Sequence, residues 1–141
     1  MAKNILMPID LSDEASWKKS LAEALDMLRD GGALHVVTVL PDFGLAQVSN
    51  YFGKDFEKKA LHEMGEALTA WVNANVPDHV EVHPHMLHGK IYDEILRAAD
   101  KLGVDVIVMG SHRPELKDYL LGPNAARVMR HARQSVYIVR N

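Results

Sequence analysis

Short apolar runs alternate with amphipathic stripes along the whole 141-residue sequence, and this alternation constrains the fold more than any other feature. The runs at 33–40 ("ALHVVTVL") and 104–110 ("VDVIVMG") are almost continuously apolar, which is typical of strands covered on both faces. Runs at 4–10, 80–87 and 135–140 complete five predicted strands, and apolar residues recur at helical spacing between them. The sequence therefore predicts an α/β fold, a single-domain doubly wound parallel five-stranded sheet with helices on both faces.

Local signals predict where the first two helices begin and end. Ser12 is a good N-cap residue for the first helix, and Gly31 and Gly32 would end it. The segment 42–53 has no clear period, so we expect it to be the most mobile part of the chain, beside the mouth of a ligand crevice. A second amphipathic helix is predicted over 56–71.

Charge and composition exclude several classes of function. The net charge is −3 with no block of like charge, which argues against a nucleic-acid surface. Cysteine is absent, so disulfides and thiolate metal sites are excluded. The sequence shows neither a signal peptide nor an apolar run of the ~20 residues that a membrane helix needs. We expect a cytoplasmic protein with no membrane insertion.

A ligand in such a sheet binds at the carboxyl ends of the strands, where the winding direction reverses. Asp10 and Gly110 follow the first and fourth strands, and these residues would face one crevice if the two strands are neighbours. A carboxylate at Asp10 would be costly to bury without a partner, and a ribose hydroxyl would provide one. The helix after Gly122 would aim its positive end at the same crevice.

The loop before that helix has two open interpretations. It holds a phosphate group, or "GPN" is a plain helix start, because Pro123 at the first helical position needs no ligand to explain it. The loop matches neither G-x-x-x-x-G-K-[ST] nor G-x-G-x-x-G.

Three stretches of the sequence resemble the universal stress protein family: "ILMPIDLSDEA", "DVIVMGSH" and "LLGPNAARVMRHARQSVYIVR". The resemblance covers one domain, residues 1–141, and implies a Rossmann-like fold of the adenine nucleotide alpha hydrolase type. Many members bind ATP with the base near the end of the second strand. By this resemblance, Val39 would contact adenine through its backbone. The residues expected to line base and ribose lie at the ends of three strands: Pro8, Ile9, Asp10, Val39, Met109 and Gly110.

The resemblance also places the phosphates on a loop written G-x2-G-x9-G-[S/T]. Gly122 matches its last glycine, and the N–H groups of Asn124 and Ala125 would face phosphate. The sequence departs from the motif in three ways: Arg113 replaces the middle glycine, the loop 114–121 is one residue short, and Pro123 replaces the serine or threonine. It looks more like the subgroup with asparagine-proline or arginine-proline in a shortened loop. Arg113 could compensate as a phosphate partner, and His112 would lie beside the phosphate.

The resulting hypothesis is a stress-response regulator that binds ATP or AMP, with or without Mg²⁺. Nothing supplies an evident general base, so fast hydrolysis is not expected, while slow ATP turnover stays open. The alternative is a nucleotide-free interaction module that acts through protein partners. A nucleotidyl transferase fits poorly, because "PIDLSDEA" lacks a histidine-rich phosphate motif.

Neither catalytic nor metal-binding residues are predicted. Adjacent Ser111 and His112 do not make a nucleophile and base, and His83, His85 and His88 are interpreted as solvated histidines of an edge strand. The last strand, "SVYIVR", would lie at the other edge of the sheet with both faces partly apolar. An unprotected apolar edge favours pairing with a second copy, so we expect a homodimer through this strand.

Overall fold

Five parallel strands form one sheet in the computed structural model, which describes residues 3–41, 46–111 and 123–140, with the backbone alone for 46–56. The strands are β1 (Lys3–Pro8), β2 (Gly32–Pro41), β3 (Glu81–Gly89), β4 (Val106–Gly110) and β5 (Ser135–Val139). Their order across the sheet is β3-β2-β1-β4-β5, and every neighbouring pair is parallel. The helices are α1 (Lys18–Met27), α2 (Ala46–Asn75), α3 (Ile91–Leu102) and α4 (Pro123–His131).

Helices cover both faces of the sheet, which confirms the predicted doubly wound fold. Ile5, Leu34 and Val36 face α1 and α2 in one apolar cluster. Leu6 and Val37 point to the opposite face and pack with α3 and α4 in a second cluster. Neighbouring residues of one strand therefore enter different clusters, as the period of two in a strand requires.

The two tryptophans join α1 and α2 above the sheet. Their rings meet edge to face with centroids 5.2 Å apart. Trp71 is buried in the cluster under these helices, and the half-buried Trp17 packs against it. Aromatic pairs in this arrangement contribute about 0.5–1.5 kcal/mol beyond the area they bury. Both tryptophans therefore contribute to the apolar cluster on this face of the sheet.

The start of α1 differs from the sequence-based prediction. Ser12 is not its N-cap, because the Ser12 hydroxyl donates to the carboxylate of Asp10 over 2.7 Å. A short 3-10 turn, Glu14–Ser16, comes first, and its cap is Asp13, whose side chain accepts from the N–H of Ala15. The helix itself begins only after Trp17.

The start of α2 also differs from the prediction. The helix begins at Ala46, so residues 46–53 of the segment predicted to lack regular structure are helical. A glycine such as Gly53 costs about 1 kcal/mol inside a helix relative to alanine but does not end it. Residues 42–45 lie outside the described residues, and the expected mobility of the segment stays a prediction.

We predict that Gly32→Ala destabilises the fold far more than Gly103→Ala, although both glycines have positive φ. A Cβ at Gly32 would lie 1.9 Å from the carbonyl oxygen of Lys3, so β1 and β2 would have to separate there. A Cβ at Gly103 meets nothing within 4 Å and carries only the left-handed backbone cost, about 1–2 kcal/mol. Urea unfolding followed by circular dichroism checks this, and equal losses in the two variants would contradict it.

Candidate functional site

The carboxyl ends of β1 and β4 lie side by side at the centre of the sheet. Ile5 pairs with Val106 and Leu6 with Ile107. The same register carried past the end of β1 brings Asp10 level with Ser111. The first and fourth strands are therefore neighbours, which meets the condition set by the sequence analysis. The winding direction reverses between them, and this is where such a fold has its ligand crevice.

Asp10 has local hydrogen-bond partners. Its Oδ1 accepts from the backbone N–H of Ser12 over 3.0 Å and from the Ser12 hydroxyl over 2.7 Å. Its own N–H donates to the hydroxyl of Ser16 over 3.0 Å. The residue is half-buried beyond the end of β1 rather than inside the sheet. The expectation that Asp10 would be buried without a partner unless a ligand is bound is therefore wrong, because two donors of Ser12 already bond one oxygen of the carboxylate.

Most of the other residues expected at base and ribose are buried. The side chains of Ile9 and Met109 are each 1% exposed and belong to opposite apolar clusters, and Val39 is buried with Met109. These side chains hold the strand ends in place, so contact with a ligand would have to come through the backbone. Pro8, the last residue of β1, is buried as well.

Gly110 has a packing reason for being glycine. A Cβ there would lie 3.1 Å from the carbonyl oxygen of Ser16 and 3.3 Å from the hydroxyl of Ser20. The start of α1 thus approaches the end of β4 closely. The glycine alone is not evidence for a ligand, because even a Cβ at this position would be tight against Ser16 and Ser20.

A cavity of about 360 Å³ opens between the ends of β2 and β3 and the starts of α3 and α4. Two predicted site residues, Pro123 and Asn124, line it. Ala125 is buried beneath them in the cluster under α3 and α4. His112, Arg113 and Gly122 lie outside the described residues, so their expected roles stay predictions.

Two cationic side chains also line this cavity, Lys90 and Arg127. The guanidinium carbon of Arg127 lies 4.7 Å from the centre of the Tyr92 ring, a cation–π contact that restrains the side chain. Both α3 and α4 begin at the cavity, and helix N-termini carry partial positive charge. Charge and dipole together favour an anionic ligand here.

Sequence reasoning missed Lys90, Tyr92 and Arg127. Lys90 follows Gly89 at the junction of β3 and α3, where a glycine–lysine pair between strand and helix was a usable signal. Arg127 lies three residues after Asn124, which puts both on one face of α4. Neither lies next to the residues that the family resemblance singled out, so only the fold brings them together.

The histidines of β3 do not lie together as solvated groups. His83 and His85 share one face of the strand, but His88 lies on the other face, where its Nδ1 is 2.9 Å from a carboxylate oxygen of Glu57 on α2. His85 and His88 are half-buried, which corrects the solvated interpretation for these two. Within residues 3–41, 57–111 and 123–140, histidine and carboxylate groups nowhere form a set of three able to hold a metal ion.

The chain matches a protein-family model and several relatives over nearly its full length. The model described as the universal stress protein family matches residues 1–140. "Universal stress protein G" of Escherichia coli O157:H7 is 36% identical over 144 residues, which cover 99% of this chain and 100% of that protein. A protein of the same name from Salmonella typhimurium is 33% identical with the same coverage.

Solved structures show the same fold. The universal stress protein UspA from Lactobacillus plantarum matches with a TM-score of 0.73 at 18% identity, over 98% of this chain and 97% of that one. A universal stress protein in complex with cAMP matches with a TM-score of 0.59 at 19% identity, over 99% of this chain and 97% of that one. None of the described helices is both long enough and apolar enough to span a membrane. With the family model matched from residue 1 to residue 140, the chain belongs to the universal stress protein family.

Proposed function

We propose that this chain binds an adenine nucleotide, ATP or AMP, at the carboxyl edge of its sheet and acts as a cytoplasmic stress-response regulator. The observation that carries the proposal is the cavity between the starts of α3 and α4, lined by Lys90 and Arg127. A structural neighbour described as a complex with cAMP supports an adenine nucleotide as the anion.

The described residues fit such a ligand in two parts. Backbone groups at the ends of β1, β2 and β4 would hold base and ribose, because the side chains there are committed to the core. The first turn of α4, with Lys90 and Arg127, would hold the phosphates. Pro123 removes one N–H from that turn, so cationic side chains carry more of the phosphate binding. A bound Mg²⁺ would neutralise further phosphate charge.

We propose that the shortened loop with Arg113 and Pro114 makes this chain a member of the arginine-proline subgroup. In that arrangement Arg113 would add a third cation for the phosphates. The proposal rests on the sequence of the loop and on the charge of the adjoining cavity.

The proposed function is nucleotide binding without fast hydrolysis of ATP. Among the described residues near the cavity, the carboxylate of Glu94 lies against Gly89 and pairs with Arg97 over 3.0 Å, which makes it a poor general base. Slow ATP turnover would then depend on water and Mg²⁺.

A nucleotide-free interaction module is the second candidate function. Two observations favour it: two donors of Ser12 bond the carboxylate of Asp10, and packing against α1 accounts for Gly110. Under this alternative, the loop is a plain turn and the protein acts by binding other proteins. Nucleotide binding separates the two candidates.

We predict that millimolar Mg²⁺-ATP or AMP raises the melting temperature of the protein. A ligand at a hundred times its Kd adds about 2.7 kcal/mol, which corresponds to a rise of several degrees for a domain of this size. Gly122→Val should reduce the rise, because a side chain at this position would keep a phosphate away from the backbone. Differential scanning fluorimetry measures it, and mass spectrometry of the denatured protein shows any nucleotide carried from the cell. No rise and no carried nucleotide would leave the interaction module as the function.

We predict that Lys90→Gln and Arg127→Gln each weaken ATP binding about tenfold, as expected for a loss of about 1.4 kcal/mol from a charge-assisted contact. Adenosine, which lacks phosphate, should bind both variants as it binds the unmodified protein. Lys101→Gln, on the last turn of α3, is the matched control. Isothermal titration calorimetry measures the affinities. Equal losses for ATP and adenosine would show a disturbed fold rather than lost phosphate contacts.

We also propose that the protein is a homodimer through β5, which lies at one edge of the sheet. Val136 and Ile138 pack against the cluster under α3 and α4, while Val139 is 8% exposed in the cluster under α1 and α2. The ring of Tyr137 on this strand is 41% exposed, although its hydroxyl donates to the carboxylate of Glu23 on α1 over 3.4 Å.

We predict that Tyr137→Lys weakens the dimer, because it places a charge in the interface without opening the core. Tyr137→Phe, which keeps the ring, should assemble as the unmodified protein does. Val139 is unsuitable for this test, because a lysine there would be buried. Sedimentation equilibrium at micromolar concentration measures assembly, and a monomeric unmodified protein would overturn the proposal.

A further inference from the structure

A pair of histidines bridges β2 and β3 on the face that α3 covers. Nδ1 of His35 lies 2.9 Å from Nε2 of His85. The ring centroids are 5.2 Å apart with an angle of 24° between the planes. The centroid separation exceeds the nitrogen separation by about two ring radii, so the two nitrogens point at each other. This is the geometry of an N–H···N hydrogen bond in which one imidazole donates and the other accepts.

We propose that the His35–His85 pair is a proton-controlled clasp between β2 and the edge strand β3. When both rings are neutral, the bond forms with one proton between the nitrogens. When one ring is protonated, the bond still forms, because an imidazolium donates to a neutral imidazole. When both rings are protonated, each nitrogen carries a proton, acceptor and donor no longer match, and two positive charges face each other at hydrogen-bond distance.

The surroundings of the pair favour the neutral state. Burial lowers the pKa of both rings, and the charge of His83 lowers each of them further. For His35, the charge of His85 also lowers the pKa, and only the Glu81 carboxylate raises it. Glu81 is itself engaged, because its Oε2 lies 2.7 Å from Nε2 of His83. Among the described residues, charged side chains of α3 do not act on the pair, although that helix packs on both strands.

The direction of the pH effect follows from these lowered values. Unfolded histidines take up protons near their ordinary pKa of 6.5, before His35 and His85 do so in the folded protein. As pH falls through this range, the unfolded state binds more protons than the folded state, so the free energy of unfolding decreases. Above this range the contribution of the neutral pair is fully present.

A metal ion between the two nitrogens fits this geometry less well. Each lone pair points at the other nitrogen and not at a common point to one side, and Zn²⁺ needs about 2.0–2.1 Å from each nitrogen, so the strands would have to move apart. The third imidazole, His83, lies beside the pair with its ring centre 5.0 Å from that of His35, and its Nε2 faces Glu81. The geometry of the pair therefore fits a shared proton better than a metal ion.

The clasp has a direct test by NMR of the full-length protein, in buffer containing EDTA. The imidazole signals of His35 and His85 should titrate in two coupled steps below the ordinary histidine pKa of 6.5. Amide exchange of β3, corrected for its intrinsic pH dependence, should rise about tenfold relative to β1 between about pH 7.5 and pH 5.

His85→Gln is the informative variant, because an amide can bond to His35 but does not become charged. It should fold, keep β3 protected at neutral pH and lose most of the tenfold rise. His79→Gln, on the exposed turn before β3, is the control and should retain the rise. Independent titration of the two rings at ordinary values, or an undiminished rise in His85→Gln, would overturn the proposal. A titration that changes when EDTA is omitted would also overturn it, since the pair would then hold a metal ion.

Discussion

The position of β1 between β2 and β4 is the constraint on which the rest of the structure depends. Because both faces of this strand are covered, Ile5 and Leu6 enter opposite cores, and α1 and α2 must wind on one side while α3 and α4 wind on the other. The reversal leaves the carboxyl ends of β1 and β4 uncovered by a crossover. The site is a consequence of this topology more than of any single residue.

The sequence was informative wherever one local rule decided the outcome. Continuous apolar runs located β2 and β4. The expectation that Gly31 and Gly32 end the first helix was wrong, because α1 already ends at Met27. The two glycines have positive φ, but Gly31 directly precedes β2 and Gly32 begins it. Prediction was wrong where two local rules competed. Ser12 could cap a helix or bond to Asp10, and the bond to Asp10 prevailed because the carboxylate lies two residues away.

The charges at the cavity depend on contacts distant in the sequence, which explains why a local pattern could not reveal them. Lys90 and Arg127 are 37 positions apart in the sequence. They line the same cavity only because α3 and α4 both begin at the same edge of the sheet. The resemblance directed attention to backbone donors in one loop. With Pro123 at the helix start, the cations of two different helices become the more important groups for an anion.

The β3 edge of the sheet is protected by a proline and by packing against α2. At β3, Pro84 removes one N–H donor, and Met86 packs so closely on Gly65 of α2 that a Cβ there would lie 2.9 Å from its sulfur. The same strand carries His85 in register with Val37 of β2, and four residues later Gly89, in register with Pro41, lines the cavity. A loss of contact between His35 and His85 therefore acts on the strand that forms one wall of the proposed nucleotide site. The strand β3 therefore contains both a histidine of the proposed proton-binding pair and a residue that lines the proposed nucleotide site.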